Sequence, residues 1–450
     1  GGYIGGRALD LSAREALDGC KPSPPQLEFS YALHLLHAEG ATLPSCDGAA
    51  LLPCDLLRSL RFAAPSEPNA ILVPFSSADM PSLAAFLAAA KPLQLDAPLL
   101  LAPIDAAAAQ LVAKRSAHGK LPLPSPDGPF NGALLPAPER TDVGYTFELV
   151  AAFLRAGVAT LLLSPRVALL RDKPFTALHR DADVEVASDG WDDRSAYGYN
   201  HVLDDPSMGF TRSCHGLRIS AHDAGIVFAM PTAEALQAAL AVASRLRTEP
   251  GALSATRALS EELFLPAHNG VTRAGARARV MNLLCFGNSK LFFSSHLHEA
   301  YGRLQPVAVH VSYHEDAADR MAALAARYQQ NDGGALTPLL IERLSKEQRA
   351  LCRLPRTWAP DAADSSEWAQ YVQSHGPWEW SGTGPLTFKA AGELSTPWGA
   401  GRWGVLRGDF LFADFVGSRH NIRFEAARQG QFISSRCGDG DPVIGKLKKR

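Results

Sequence analysis

From Asn69 onward the chain alternates short, unbroken apolar runs with longer amphipathic stretches. Asn69–Phe75 (NAILVPF) and Ala97–Pro103 have the character of strands buried on both faces, and Pro81–Ala90 between them repeats its apolar residues at helical spacing. Asp105 is placed to cap an alanine-rich helix that follows the second run. Residues 117–141 carry several Pro and Gly and read as a long loop. Tyr145–Ala156 returns to helical spacing with Gly157 as its stop, and Val158–Leu163 and Asp183–Ser188 are the next buried strands. Ala233–Leu246 reads as a long helix and Val307–Val311 as a late strand. Strand and helix in alternation predict a doubly wound α/β sheet.

The two ends have a different texture. Residues 1–66 are rich in Gly, Pro and Ala, with one helix expected around Gln26–Glu39, and read as an N-terminal extension. An α/β domain over 67–335 is followed by a mainly helical connector over 336–376, with a break at Asn331–Gly334 ahead of it. Over 377–450 apolar and polar residues alternate between frequent glycines, as in Leu386–Phe388, Trp403–Val405, Leu411–Phe415, Asn421–Phe424 and Phe432–Ser434. That pattern predicts a small antiparallel β domain. Its tryptophans (Trp378, Trp380, Trp398, Trp403) could stack on sugar rings, but in a domain this small core positions are the first expectation.

Composition narrows the function classes. The 44 basic and 46 acidic residues leave a net charge of −2, so no global electrostatic attraction to nucleic acid is expected. No apolar run reaches the roughly 20 residues that span a bilayer, so membrane attachment would need an anchor preceding Gly1. The seven cysteines (Cys20, Cys46, Cys54, Cys214, Cys285, Cys352, Cys437) lack the close spacing of a zinc site. Cys46 and Cys54 are near enough to pair in an oxidising compartment, and buried free thiols are an equal alternative.

A series of longer segments carries a family resemblance. Phe175–Glu185 runs into Ser188–Asp205 and Pro206–Gly209, followed by Leu217–Ile219, Pro231–Thr232, Leu263–His268, Arg279–Met281, Asn288–Lys290 and Val307–His314. In order and spacing, over roughly residues 69–328, these resemble glycosyltransferase family 77, and within it the arabinosyltransferases that extend arabinose chains on hydroxyproline-rich cell-wall glycoproteins of plants and algae. The resemblance implies a GT-A fold: a Rossmann-like, nucleotide-diphospho-sugar transferase domain that binds a UDP-sugar donor at the C-terminal ends of its strands. It also implies transfer with retention of configuration, a Golgi or secretory-lumen location, and a glycan or hydroxyproline-rich glycoprotein as partner. Phe75 and Ser76, at the end of the first strand, are then expected near the nucleotide.

The same resemblance implies Mn²⁺ or Mg²⁺, held by an Asp-X-Asp pair directly after the strand that ends at Leu163. Hard cations take carboxylate oxygens. This chain instead reads Ser164-Pro165-Arg166-Val167 there, so the cation is not expected to bind in the family's way. A guanidinium can pair with phosphate but cannot ligate a metal. Asp181-Ala182-Asp183 has the right residue types but precedes its strand, which puts it at the wrong end of a sheet. Thr146 and Glu148 stand where a Lys and an Arg are implied, Ser254-Ala255-Thr256 where Trp-Asp-Gln is, and Asp223–Val227 where Asn-Ser-Gly-Phe-Phe is. Asp189, Asp192 and Asp193 follow a strand and are candidates to face the sugar, Asp189 and Asp192 as catalytic acids. Arg166 and Asp223 are candidates at the diphosphate, and His310, with His314 four residues on, matches the family's late-strand metal ligand. Two functions follow: a transferase with a metal-independent phosphate site, or a lapsed enzyme kept as a glycan-binding, scaffolding or partner-regulating module.

Overall fold

A computed structural model describes residues 68–119, 121–125, 131–137, 144–190, 222–250, 253–264, 275–340, 350–352, 367–380, 383–407, 410–415, 418–424, 430–437 and 442–448, with a few isolated positions before residue 68 and Ala196. The chain divides into two compact units, residues 1–289 with 298–338 and residues 290–297 with 339–450.

In the first unit, seven strands make one mixed sheet: β1 (Asn69–Phe75), β2 (Leu99–Pro103), β3 (Gly132–Leu134), β4 (Ala159–Leu163), β6 (Val184–Ser188), β7 (His222–Ala229) and β8 (Ala278–Val280), in the order β3-β2-β1-β4-β7-β6-β8. All but β7 run in one direction, so the C-terminal ends of β1, β2, β4 and β6 and the N-terminal end of β7 share an edge. The expected loop over 117–141 contains β3, too short and glycine-broken to show as an apolar run. Its first residue, Gly132, has φ +159 and lies so close to Leu99 that a Cβ would overlap that residue's carbonyl.

Both faces of the sheet are covered, as strands this apolar require. Leu72, Leu100, Leu162, Val184, Val186 and Val227 form one core with α3 (Tyr145–Arg155), α4 (Ala233–Thr248) and α5 (Ala255–Phe264). On α1 (Met80–Ala90) and α6 (Ala317–Gln329) the buried residues recur at helical spacing, and these two helices pack together. Between these elements lies α2 (Ala106–Ala117), capped by Asp105, whose carboxylate accepts from Ala108 N–H at 2.6 Å. Gly157, with φ +74, ends the α3 segment in the left-handed conformation only glycine adopts cheaply. A second, three-stranded sheet of β5 (Val167–Leu169), β10 (Ala308–His310) and β9 (Phe286–Asn288) stands beside the first. The disulfide Cys20–Cys285, a pairing that spacing did not suggest, ties Cys20 to the residue before β9. Cys46 and Cys54, like the helix expected at 26–39, lie outside the described residues.

In the second unit, β11 (Trp378–Trp380) through β18 (Pro442–Leu447) close into an eight-stranded antiparallel barrel. Its intermediate strands are β12 (Thr383–Phe388), β13 (Glu393–Thr396), β14 (Gly399–Arg407), β15 (Phe410–Phe415), β16 (Ser418–Phe424) and β17 (Gln431–Arg436). Closure removes the free edges that an open sheet of this size would leave. Trp378, Trp380 and Trp403 are buried in its core with Phe388, Phe424 and Phe432. The helix α7 (Glu367–Ser374), which the sequence assigns to a connector, contributes Ala369 and Val372 to that core, and Cys352–Cys437 is a second disulfide within the unit.

His420 is buried in the barrel, stacked on Phe415 at 5.0 Å and edge-on to Trp380. Burial pushes its imidazole down from 6.5 to about 3, helped by the nearby charge of Arg436. Between those two values the unfolded chain binds a proton that the folded barrel refuses, so stability is complete above the ordinary histidine range and falls with pH below it. Tryptophan fluorescence should therefore report a barrel melting temperature that drops from about pH 6.5 downward, with a smaller drop in His420→Gln. An identical pH profile in the two proteins would contradict this.

Candidate active site

The residues after β4 form a tight turn. Pro165 occupies its second position, Val167 N–H donates to Ser164 C=O at 3.0 Å, and the Ser164 hydroxyl accepts from Arg166 N–H at 3.2 Å. Two further bonds clamp it in place. Ser164 N–H donates to Gly225 C=O at 2.8 Å, and Val311 N–H donates to Arg166 C=O at 2.8 Å. The chain then enters β5, whose Val167 sits opposite His310 of β10. The turn thus stands at the shared strand edge, against the start of β7 and the end of β10. The Arg166 guanidinium, half-buried, has no ion-pair or hydrogen-bond partner among the described residues.

Asp223 and His310 come together beside this turn. Asp223 is buried; its Oδ1 accepts Gly225 N–H at 2.9 Å and its Oδ2 lies 2.7 Å from His310 Nδ1. The imidazole lies directly over Gly225, where a Cβ would fall 2.3 Å from Nδ1. Glycine is needed here for close approach, not for backbone freedom. Thr256, at the start of α5, accepts Ala224 N–H at 3.2 Å and steadies the same stretch of β7.

The end of β6 is held by β9. Asn288 donates through Nδ2 to both Ser188 C=O and Gly190 C=O at 2.7 Å, and the Ser188 hydroxyl accepts Gly190 N–H at 3.0 Å. Asp189, half-buried between them, accepts from the Tyr313 hydroxyl at 3.1 Å. Because Asn288 is the parallel partner of His310, this clamp and the Asp223–His310 pair are parts of one arrangement. Asn288 and Tyr313 lie in segments that carry the resemblance, but their contacts with the end of β6 are visible only in the structure.

The other sequence candidates are placed as follows. Phe75 is buried at the end of β1, and the pairing of Leu72 with Leu162 carries it level with Pro165. Ser76 directs both its N–H and its hydroxyl to the Asp79 carboxylate, at 2.9 and 2.6 Å. Its hydroxyl is thus engaged locally. His314, half-buried, lies beyond Tyr313 near Asp316. Asp192 and Asp193 lie outside the described residues. Asp181 and Asp183 are at the opposite end of β6: Asp181 pairs with Arg279 through both carboxylate oxygens, and Asp183 accepts from the Thr232 hydroxyl and Arg277 N–H, each at 2.7 Å. Glu148, where the resemblance implies a cation, pairs instead with Arg247 of α4.

A divalent cation does not fit the donors that the described residues present. The turn after β4 offers a hydroxyl, a proline and a guanidinium. Both oxygens of Asp223 are already engaged, and no group of three or more His, Cys, Asp or Glu among the described residues is placed to hold a metal. The expectation of His310 as a metal ligand therefore finds no companion donors among these residues. With Nδ1 committed to Asp223, the ring can meet a ligand through Nε2 alone.

Residues 144–324, which include all of these groups except Phe75 and Ser76, match the family model described as nucleotide-diphospho-sugar transferase. This part of the chain is similar to that family. It is similar to the arabinosyltransferases RRA2 (37% identical over 194 residues) and RRA1 (34% over 194 residues) of Arabidopsis thaliana, in each case over 43% of this chain. The chain matches 45% and 48% of the length of these relatives, less than half of each. Among solved structures it is similar to the glycosyltransferase GlyE of Streptococcus pneumoniae TIGR4, with 9% identity, a TM-score of 0.33, and 54% of this chain and 53% of that one covered. The galactosyltransferase LgtC gives 12% identity, a TM-score of 0.32, and 62% and 99% coverage. The fold class is the one expected, a GT-A α/β domain followed by a small antiparallel β domain, the latter closed into a barrel.

If Gly225 is what seats the imidazole against Asp223, Gly225→Ala should cost about 1–3 kcal/mol in urea unfolding. The same substitution in a His310→Ala background should cost much less, because the clash has been removed. Equal costs in the two backgrounds would contradict the arrangement.

Proposed function

We propose that this chain is a glycosyltransferase that uses a nucleotide-diphosphate sugar and that Arg166 takes over the diphosphate charge that a divalent cation neutralises elsewhere in the family. One observation carries the proposal. An unpaired guanidinium stands on a clamped turn at the C-terminal edge of the sheet, where ligands bind in open α/β folds and where the resemblance puts the metal pair. A guanidinium presents two parallel N–H groups to phosphate oxygens, and its charge stabilises the diphosphate as it leaves. His310, oriented by Asp223, offers a second contact through Nε2. Asp189, which accepts from Tyr313 and lies between the two carbonyls that Asn288 holds, stands at the same edge, and its carboxylate is the group proposed to meet a sugar hydroxyl.

The donor we propose is a UDP-pentose, with arabinose added to a hydroxyproline-linked glycan and configuration retained. The names of the relatives support this choice. For location we propose the secretory lumen. Two disulfides within the described residues favour an oxidising compartment. The Ser164-Pro165-Arg166 turn also favours a second reading, a domain that binds the nucleotide sugar or glycan without turning it over.

Release of UDP from UDP-arabinofuranose, with a hydroxyproline arabinoside peptide as acceptor, separates the two. The transferase reading expects turnover in the presence of EDTA, reduced on the order of 100-fold in Arg166→Ala and less in Arg166→Lys. Binding without turnover of any UDP-pentose, with or without Mn²⁺, would leave only the second reading.

A further inference from the structure

The four tryptophans of the barrel unit do not share one role. Trp378 and Trp403 are fully buried and Trp380 nearly so, whereas Trp398 is 43% exposed. It sits at the tip of the hairpin joining β13 to β14, where Thr396 pairs with Gly399 and only Pro397 and Trp398 lie between them. That tip is rigid. Thr396 Oγ1 donates to Gly399 C=O at 2.7 Å and accepts Trp398 N–H at 3.1 Å, and the proline fixes the backbone ahead of the indole.

Behind the exposed ring is a stack of aromatic planes. Trp398 lies on Phe415 at 5.7 Å and 16°, and Phe415 lies on His420 at 5.0 Å and 9°. Trp380 meets both Phe415 and His420 edge-on from the barrel core. Gly401 makes room for the stack, since a Cβ there would come within 2.8 Å of the Phe415 Cβ. Gly399 and Ala400, both exposed, add no side chain that overhangs the indole. A tryptophan needed only for packing gains nothing from a rigid hairpin that holds it half in water.

We propose that Trp398 is a carbohydrate-binding platform on which a ring of a neutral oligosaccharide stacks. The apolar face of a sugar ring, lined with C–H groups, matches one indole face in size, and its hydroxyls stay in water or meet polar groups at the rim. Among the described residues the patch is Pro397, Trp398 and the partly exposed Phe415, far short of the roughly 1,000 Å² that a stable protein interface requires. A single fixed aromatic plane therefore suits a glycan better than a second copy of this chain. That choice of ligand class rests on the transferase reading above, in which a glycan is the material being extended.

Affinity electrophoresis of the full chain in native gels containing soluble linear arabinan tests this directly. Gels with arabinogalactan form a second arm and plain gels the reference. The expected result is retardation of the wild type in at least one polysaccharide, weakened at least tenfold in Trp398→Ala and largely kept in Trp398→Phe. The melting temperature of both variants should match the wild type. Arg166→Ala should be retarded like the wild type, so failure of the transferase reading would not be mistaken for failure of this one. Absence of retardation in either polysaccharide, or equal retardation of Trp398→Ala and wild type, would overturn the proposal. So would a wild-type dimer that Trp398→Ala dissociates, since that would put a second copy on the ring.

Discussion

The hydrogen bond from Ser164 N–H to Gly225 C=O joins the end of β4 to the start of β7, and the geometry of the candidate site follows from it. On one side it fixes the turn that carries Arg166. On the other it fixes the glycine over which His310 lies, two residues from the aspartate that orients the imidazole. Because β5 leaves the turn at once and pairs with β10, the loop has no slack to swing outward. Pro165 and Arg166, which follow Ser164, are therefore held at the shared strand edge.

That constraint gives the residue types their meaning. A carboxylate pair in this turn would gather a divalent cation, while a guanidinium in the same place repels one and attracts the phosphates directly. The exchange replaces two positive charges by one, so the neighbouring groups carry more weight. Asp223 does not cancel Arg166 through any described contact; its two oxygens are spent on Gly225 and His310. Arg166 thus carries its charge on the turn at the edge, beside an imidazole whose Nδ1 is taken up by Asp223.

Much of this was legible in the sequence because buried strands announce themselves. β1, β2 and β4 are short, predominantly apolar runs and β6 a short run interrupted by Glu185, and the observed strands agree with the expected ones to within about two residues. Asp105 and Gly157 were readable as helix boundaries for local reasons of hydrogen bonding and backbone conformation. Less visible was β7, which opens on His222 and Asp223, although Gly225–Ala229 is an apolar run in its own right. β3 is only three residues long and follows a loop. The contributions of Asn288, Tyr313 and Gly225 depend on strand pairing between residues about 100 apart, which no local pattern encodes. The same holds for Trp398: alternation placed it in a β domain, but only the closed barrel separates it from its three buried counterparts.

In the proposed function the phosphate contact is made by a guanidinium without help from a metal. Calorimetric titration of UDP into the wild type and Arg166→Ala, each in excess EDTA and again in Mn²⁺, measures it most directly. Wild-type affinity should be the same in both buffers and at least tenfold weaker on loss of the arginine, in line with about 1.4 kcal/mol or more for a charge-assisted pair. Binding that appears only with Mn²⁺ and survives in Arg166→Ala would contradict it.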